Sequence, residues 1–359
     1  MHVLHVVGAR PNFMKAAPVL RALSKFSDVR QTLVHSGQHY DRAMSDVFFE
    51  QLGVPDPDVN LAVGSGSHAQ QTAGIMQRFE PVLLERKPDW VLVYGDVNST
   101  IAAALVCSKL GFKIAHVEAG LRSFDRTMPE EINRLLTDQI SDLLFTPSED
   151  GNRNLQKEGV PAERIRLVGN VMIDTLIRFL PVAEAKTREL RARFGVSDFG
   201  LVTLHRPATV DSPEILLPIL ETLDEVAKEL PIIFPLHPRT RGQLGDRVQK
   251  FSAGLKIVEP LPYLDFLALQ KHATVVVTDS GGIQEETTFL GIPCLTVRDN
   301  TERPITVTLG TNTVIGRDPA SLQQAMGKVL HGERIKSEIP PLWDGKASER
   351  IADVLRSSL

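Results

Sequence analysis

Short apolar runs rich in valine, isoleucine and leucine alternate with longer amphipathic stretches along the first half of the chain. The runs fall at His2–Val7, 31–35, Trp90–Tyr94, 113–117, Leu143–Thr146 and 166–168, each of a length suited to a strand buried on both faces. Between them, 11–25, 69–86, 99–110 and 130–140 carry helical patterns. After Gly169 the pattern becomes a mostly helical connection over 171–194. A second alternation then begins, with strands at 200–204, 232–236, 256–258, 274–278, 293–297 and 313–315. Repeated strand-helix-strand units build a parallel sheet covered on both faces. The chain therefore reads as α/β, with two doubly wound, Rossmann-like domains, 1–169 and 170–345, facing a central cleft. Helical spacing at Ile351, Val354 and Leu355 predicts a last helix within 346–359 that packs back on the first domain.

In sheets of this kind ligands bind beyond the carboxyl ends of the strands. Val275-Val276-Val277-Thr278 leads into Asp279-Ser280-Gly281-Gly282-Ile283-Gln284-Glu285-Glu286, a strand passing through a Ser-Gly-Gly turn into a helix. The glycines let backbone N–H groups approach a ligand, and a helix start favours an anion, so Ser280, Gly281 and Gly282 are candidate phosphate ligands. Glu286 lies roughly 6 Å beyond Gly282 on the same helix face. A carboxylate there can accept both hydroxyls of a ribose. The plain alternative is an ordinary turn with Glu286 as a solvated charge.

Other strand ends carry further candidates. Gly8-Ala9-Arg10-Pro11-Asn12-Phe13-Met14-Lys15 is neither a dinucleotide fingerprint nor a Walker A loop, so nicotinamide and ATP readings gain no support. Its Arg10 and Lys15 can reach an anionic group, or can belong to a solvated helix start. Asp96 stands in Tyr94-Gly95-Asp96-Val97-Asn98-Ser99-Thr100 where a ligand-facing residue is expected, while Asn98 or Ser99 is expected to cap the next helix. Glu118 ends a strand in His116-Val117-Glu118-Ala119-Gly120-Leu121-Arg122. Pro129-Glu130-Glu131-Ile132-Asn133-Arg134 opens a helix whose dipole accounts for one of its two acidic residues. Asp96, Glu118 and Glu130 are expected to crowd one pocket and push one pKa upward, as acid/base catalysis requires. His205 and His237 end the first two strands of the second domain, though a lone histidine is more often structural. Phe266, with Tyr263 and Leu264 before it, offers an apolar wall to a base or belongs to the core.

Composition removes several classes. The 359 residues are 42% apolar and 23% charged, ordinary for a globular protein. A formal charge of −4 gives no sign of nucleic acid or an anionic membrane as partner. No apolar stretch reaches the ~18 residues of a membrane span, and the N-terminus lacks a basic leader, so a cytoplasmic protein is expected. Cys107 and Cys294 are isolated, and the histidines show no ligand spacing, so no metal is expected.

In order, the motifs at 8–15, 95–100, 116–122, 129–134 and 279–286, with Gly-Gln-His-Tyr-Asp at 37–41 and Thr301-Glu302-Arg303-Pro304, resemble the non-hydrolysing UDP-N-acetylglucosamine 2-epimerases over nearly the whole chain. The resemblance implies a two-domain fold of the glycosyltransferase-B type with UDP in its cleft. Ser280, Gly281 and Gly282 would hold the diphosphate, with Arg10, His205 and His237 nearby. Glu286 would hold the ribose, Phe266 would lie beside the uracil, and Asp96, Glu118 and Glu130 would surround the sugar. The implied reaction is elimination of UDP to a 2-acetamidoglucal and re-addition, giving UDP-N-acetylmannosamine, with no cofactor and in a homodimer.

Two departures from the family stand out. Tyr40-Asp41 replaces residues that many bacterial members use for allosteric substrate activation, so that activation is not expected. The segment between Arg122 and Pro129 is shorter, which leaves room for another sugar, such as a UDP-linked 2,3-diacetamido uronic acid. A glycosyltransferase, a hydrolysing relative and a non-enzymatic nucleotide-sugar sensor are the alternatives. The three carboxylates weigh against the first and the last.

Overall fold

The computed structural model describes residues 1–37, 53–333 and 337–358. Two compact units are present, Met1–Thr175 with Pro341–Leu359, and Leu176–Pro340. In the first, β1 (His2–Val7), β2 (Arg30–His35), β3 (Val59–Asn60), β4 (Trp90–Tyr94), β5 (Ile114–Val117), β6 (Leu143–Thr146) and β7 (Ile165–Leu167) form one sheet ordered β3-β2-β1-β4-β5-β6-β7. In the second, β8 (Gly200–Thr203), β9 (Ile232–Pro235), β10 (Leu255–Val258), β11 (Val275–Thr278), β12 (Cys294–Thr296) and β13 (Asn312–Val314) are ordered β10-β9-β8-β11-β12-β13. Every described pairing is parallel. Both orders reverse once, at β1/β4 and at β8/β11, and at such a switch point the loops leaving adjacent strands part and open a crevice.

The two-residue β3 is too short to have shown an alternation. The helical stretch over 171–194 is two helices, Val171–Glu184 and Thr187–Phe194. The helix Glu149–Lys157 was not anticipated, because its sequence is almost wholly polar and Leu155 is its one large apolar anchor.

Asn98 and Ser99 are not helix caps. Val97 holds the cap position of the helix Asn98–Leu110, and both residues are already helical. The Asn98 side chain is used elsewhere: its amide donates to Gln71 at 2.8 Å, and its oxygen lies 3.2 Å from His68 Nδ1 and accepts from Asn133 at 3.4 Å. It thereby joins three helices.

The last helix, Ala347–Ser357, belongs to the first unit. Asp174 caps it, accepting from the amides of Ala347 (3.1 Å) and Ser348 (2.7 Å). Arg356 lies 4.0 Å over the ring of Phe26, and Trp343 Nε1 donates to the Pro147 carbonyl at 3.0 Å. Gly169, at φ +90°, packs so closely that a Cβ would stand 2.1 Å from the Leu342 carbonyl oxygen. The chain leaves this unit after Thr175, whose hydroxyl still donates to Met14 O at 2.7 Å.

Candidate active site

In the first unit the residues after β1, β4 and β5 meet at the switch point. Asn12 accepts from the amides of Gly8 (3.1 Å) and Ala9 (3.0 Å) and donates to Tyr94 O (2.8 Å), which locks the start of the helix Arg10–Leu23 to β4. Lys15, one turn further, then faces inward and pairs with Glu118. Glu118 has φ +73°, a left-handed conformation that costs a non-glycine residue about 1–2 kcal/mol. Its amide and that of Ala119 both donate to Phe145 O at 3.0 Å. Gly95 gives the pair its space, since a Cβ there would lie 2.6 Å from Lys15 Nζ and 3.2 Å from Glu118 Oε2.

Asp96 is gripped by the helix Pro129–Ile140, with Arg134 on its carboxylate and Asn133 donating to its carbonyl at 2.9 Å. Arg134 also pairs with Glu131 at 2.9 Å. Glu131 in turn accepts from Ser123 N, Ser123 Oγ and Phe124 N, each at 2.9 Å, and so fixes the loop before the helix. Glu130, in the first turn, has no hydrogen-bond or ion-pair partner among the described residues. Two of the three candidate carboxylates thus carry a cation, Lys15 at Glu118 and Arg134 at Asp96. Arg10 opens its helix, but its side chain lies outside the described structure, as do residues 38–41 of the Gly-Gln-His-Tyr-Asp motif.

Beneath these groups, His116 spans Gly95 O (2.7 Å) and Asp138 Oδ1 (2.6 Å), and so fixes the peptide that carries Asp96. Burial pushes the Asp138 pKa up, but the hydrogen bonds and charges of His116 and Arg122 outweigh it and hold the carboxyl below its usual range.

In the second unit β11 runs into the helix Gly281–Leu290 with Ser280 at the cap position, its hydroxyl making no capping bond. The first intrahelical bond is Gln284 N to Ser280 O, at 3.4 Å. The amides of Gly281, Gly282 and Ile283 are therefore the donors that helix geometry leaves over. A Cβ on Gly281 would lie 2.2 Å from Arg303 Nη1 and 2.8 Å from Glu302 Oε1, so this position needs glycine for contact and not for its φ. Arg303 bridges Glu302 (2.6 Å) and Glu285 (2.9 Å), and Glu302 also meets Arg298 (2.7 Å) and Arg206 (3.4 Å).

Asp279 accepts from the amides of His205 (3.0 Å) and Arg206 (2.9 Å) and faces His205 Nδ1 at 3.1 Å. Burial raises its pKa, yet the hydrogen bond and charge of His205 and the two amides prevail and hold it low. The His205 side chain is half exposed. His237 is exposed at the end of β9. Glu286 is no solvated charge: it is buried, and desolvation pushes its pKa up to about 7 against the opposing influence of the Tyr263 hydroxyl and the Gln270 amide. Tyr263 Oη donates to Glu286 Oε1 at 3.1 Å. Phe266, partly exposed, is on the same helix as Tyr263, Tyr263–His272.

Sequence reasoning gave no role to Arg134, Asp279, Glu302 or Arg303. Only Asp279 carried a visible signal, a charge placed directly after four apolar or β-branched strand residues.

Among the described residues, no helix is long and apolar enough to cross a membrane, and no group of three or more His, Cys, Asp or Glu is placed to hold a metal ion. A family model for UDP-N-acetylglucosamine 2-epimerase matches residues 21–356. A UDP-N-acetylglucosamine 2-epimerase of Methanocaldococcus jannaschii is 44% identical, over 98% of this chain and 97% of its own. A UDP-2,3-diacetamido-2,3-dideoxy-D-glucuronate 2-epimerase of Pseudomonas aeruginosa is 43% identical, over 99% of both. The crystal structure of M. jannaschii UDP-GlcNAc 2-epimerase in complex with UDP-GlcNAc and UDP matches with a TM-score of 0.91 at 44% identity, covering 99% of this chain and all (100%) of that one. That of the Neisseria meningitidis enzyme bound to UDP-GlcNAc gives 0.91 at 31% identity, with the same coverage. Fold, motifs and likeness along the whole length agree, and the chain belongs to the UDP-N-acetylglucosamine 2-epimerase family.

Proposed function

We propose that this chain interconverts UDP-N-acetylglucosamine and UDP-N-acetylmannosamine without hydrolysis. We assign UDP to the second unit and the proton transfers to the first. The C2 hydrogen has no neighbouring carbonyl to acidify it, so it leaves as a proton while the C1–O bond breaks, and the products are a 2-acetamidoglucal and UDP. Re-addition joins a UDP oxygen to C1 and delivers a proton to the opposite face of C2. Electrons balance without an oxidant. Two faces need two acid/base groups, which Asp96, Glu118 and Glu130 can supply. Ser280, the amides of Gly281 and Gly282, and His205 stabilise the departing diphosphate, with Arg10, Lys15 and His237 as further cations or donors. Glu286 takes the ribose and Phe266 the uracil.

The observation that carries this reading is Glu118. A left-handed glutamate, buried beside Lys15 and next to the Gly95-Asp96 turn, does nothing for the sheet that a glycine would not do better.

A second reading takes a UDP-2,3-diacetamido uronate as substrate. The 43% identity to the P. aeruginosa enzyme supports it, together with the short segment between Arg122 and Pro129. Proton NMR in deuterated water decides. Deuterium entering C2 as UDP-N-acetylmannosamine appears supports the first reading. Turnover of the diacetamido uronate alone selects the second, and release of free sugar and UDP overturns the non-hydrolytic route. We also infer a homodimer, for which exposed Phe124, Ile132 and Leu136 in the first unit offer apolar surface. A monomer mass by light scattering would end that inference.

A further inference from the structure

Glu285 and Glu286 are adjacent, buried acids with different surroundings. Glu285 meets the guanidinium of Arg303, whereas the groups that hold Glu286 are neutral, namely the hydroxyl of Tyr263 and the amide of Gln270. A buried carboxylate without a cation is unfavourable by several kcal/mol unless its oxygens are well bonded, typically about 1–3 kcal/mol for each unmet group. Here the bonding is one-sided. Oε1 accepts from Tyr263, while Oε2 and both amide atoms of Gln270 have no hydrogen bond of normal geometry.

Tyr263 is itself held in place. It stands at the first position of its helix, and Phe179 meets its ring edge-on, with centroids 6.5 Å apart and planes at 89°. Few other groups act on this carboxylate. On the strands β11, β12 and β13, which pack against the helix Gly281–Leu290, Cys294 is the one titratable residue, and the helix Ile305–Thr308 has none. On the helix Tyr263–His272, Asp265 is turned to Lys186, and Lys271 and His272 lie in the last turn. Among the described residues, Glu285 is the charge that acts on Glu286.

We propose that Tyr263 is a positioning residue, whose hydroxyl occupies one lone pair of Glu286 Oε1 and aims the carboxylate so that its remaining lone pairs receive the two hydroxyls of a vicinal diol. The proposal rests on the reading in which Glu286 holds the ribose. A carboxylate offers about four acceptor sites, so a single tyrosine donor orients it and leaves room for both hydroxyls. Burial keeps the Tyr263 hydroxyl protonated well beyond neutral pH, so the donor is always present. The unmet oxygen and amide mark a polar centre that the protein's own groups do not complete.

The test compares UDP with 2′,3′-dideoxyuridine 5′-diphosphate by titration calorimetry, on the full chain and on Tyr263→Phe and Glu286→Ala, at pH 6.5 and pH 8. Tyr263→Phe keeps the ring against Phe179 and removes only the donor. It is expected to weaken UDP about fivefold to tenfold and to leave the dideoxy analogue unchanged. The loss is expected to be larger at pH 6.5, where a carboxylate deprived of its donor is more readily protonated. Equal loss for both ligands would make Tyr263 a packing residue and overturn the proposal, as would unchanged UDP affinity. Glu286→Ala separates the two levels. If it discriminates between the ligands and Tyr263→Phe does not, the positioning role alone fails. If it does not discriminate, the ribose reading fails with it.

Discussion

Lys15 and Glu118, 103 residues apart in the chain, meet as a buried ion pair beside Gly95 at the carboxyl end of the first sheet. Neither charge has water to fall back on. Breaking the pair from one side is therefore much worse than removing it whole. Lys15→Met is expected to lower unfolding free energy by about 3–5 kcal/mol in urea. Adding Glu118→Gln to that chain should recover a large part of the loss. Independent, additive losses would show that the two side chains do not act as a unit.

Glu130 offers the cleanest catalytic test. Its side chain has no hydrogen-bond or ion-pair partner among the described residues, so Glu130→Gln should change stability by less than about 0.5 kcal/mol and lower kcat by roughly 100-fold or more. The Kd for UDP should hardly move. Asp96→Asn should also slow turnover, but it disturbs Arg134 as well and so should lower the melting temperature. Wild-type turnover in Glu130→Gln would remove it from the chemistry.

The stability of the second unit should carry a mark of Glu286. Its folded-state pKa is raised from 4.5 to about 7, so the folded protein holds this proton more tightly than the unfolded chain. The associated stability is fully present below pH ~4.5 and is lost as pH rises through about 7. Glu286→Gln removes that dependence and is expected to be more stable than the wild type at pH 8 by roughly 3 kcal/mol, and not at pH 4.5. Urea unfolding of both chains at the two pH values gives the comparison, and the opposite sign would contradict the burial of an unpaired carboxylate.

Gly281→Ala inserts a methyl where Arg303 Nη1 would be 2.2 Å away, and Arg303 is pinned by Glu302 and Glu285. Overpacking of this kind costs about 1–3 kcal/mol. UDP affinity should fall at least tenfold, because the shift falls on the amides left for phosphate. A variant that binds UDP normally would place the diphosphate elsewhere.

The strands were legible because doubly covered parallel strands are nearly pure apolar runs, Trp90–Tyr94 being an instance. Asp96 and Glu118 were legible as candidates because a carboxylate directly after such a run has no structural task. Lys15, the cation at Glu118, was legible as a candidate too, but the cation at Asp96 was not. Arg134 reaches Asp96 only through the rotation of a helix that begins 33 positions later, at Pro129, and no local rule fixes that angle. Asn98 misled for a related reason. Its type suits a cap, but its hydrogen bonds run to Gln71 and Asn133 on two other helices, and tertiary contact outweighed local preference. Glu286 was chosen for its spacing from Gly282. Its burial and its bond to Tyr263 depend on how a preceding helix packs, which the spacing does not contain.

The closure of the first unit by Ala347–Ser357 sets an order of events during synthesis. Asp174, Pro147 and Phe26 emerge early, yet the segment that meets them, Trp343 and the helix after it, is made only after all of Leu176–Pro340. At about 5–20 residues per second the ribosome needs roughly ten to thirty seconds for that interval. Throughout it the early unit exposes the seat of a missing helix, and at its end the later unit is complete before that helix has been made. The half of the enzyme that is started first is finished last.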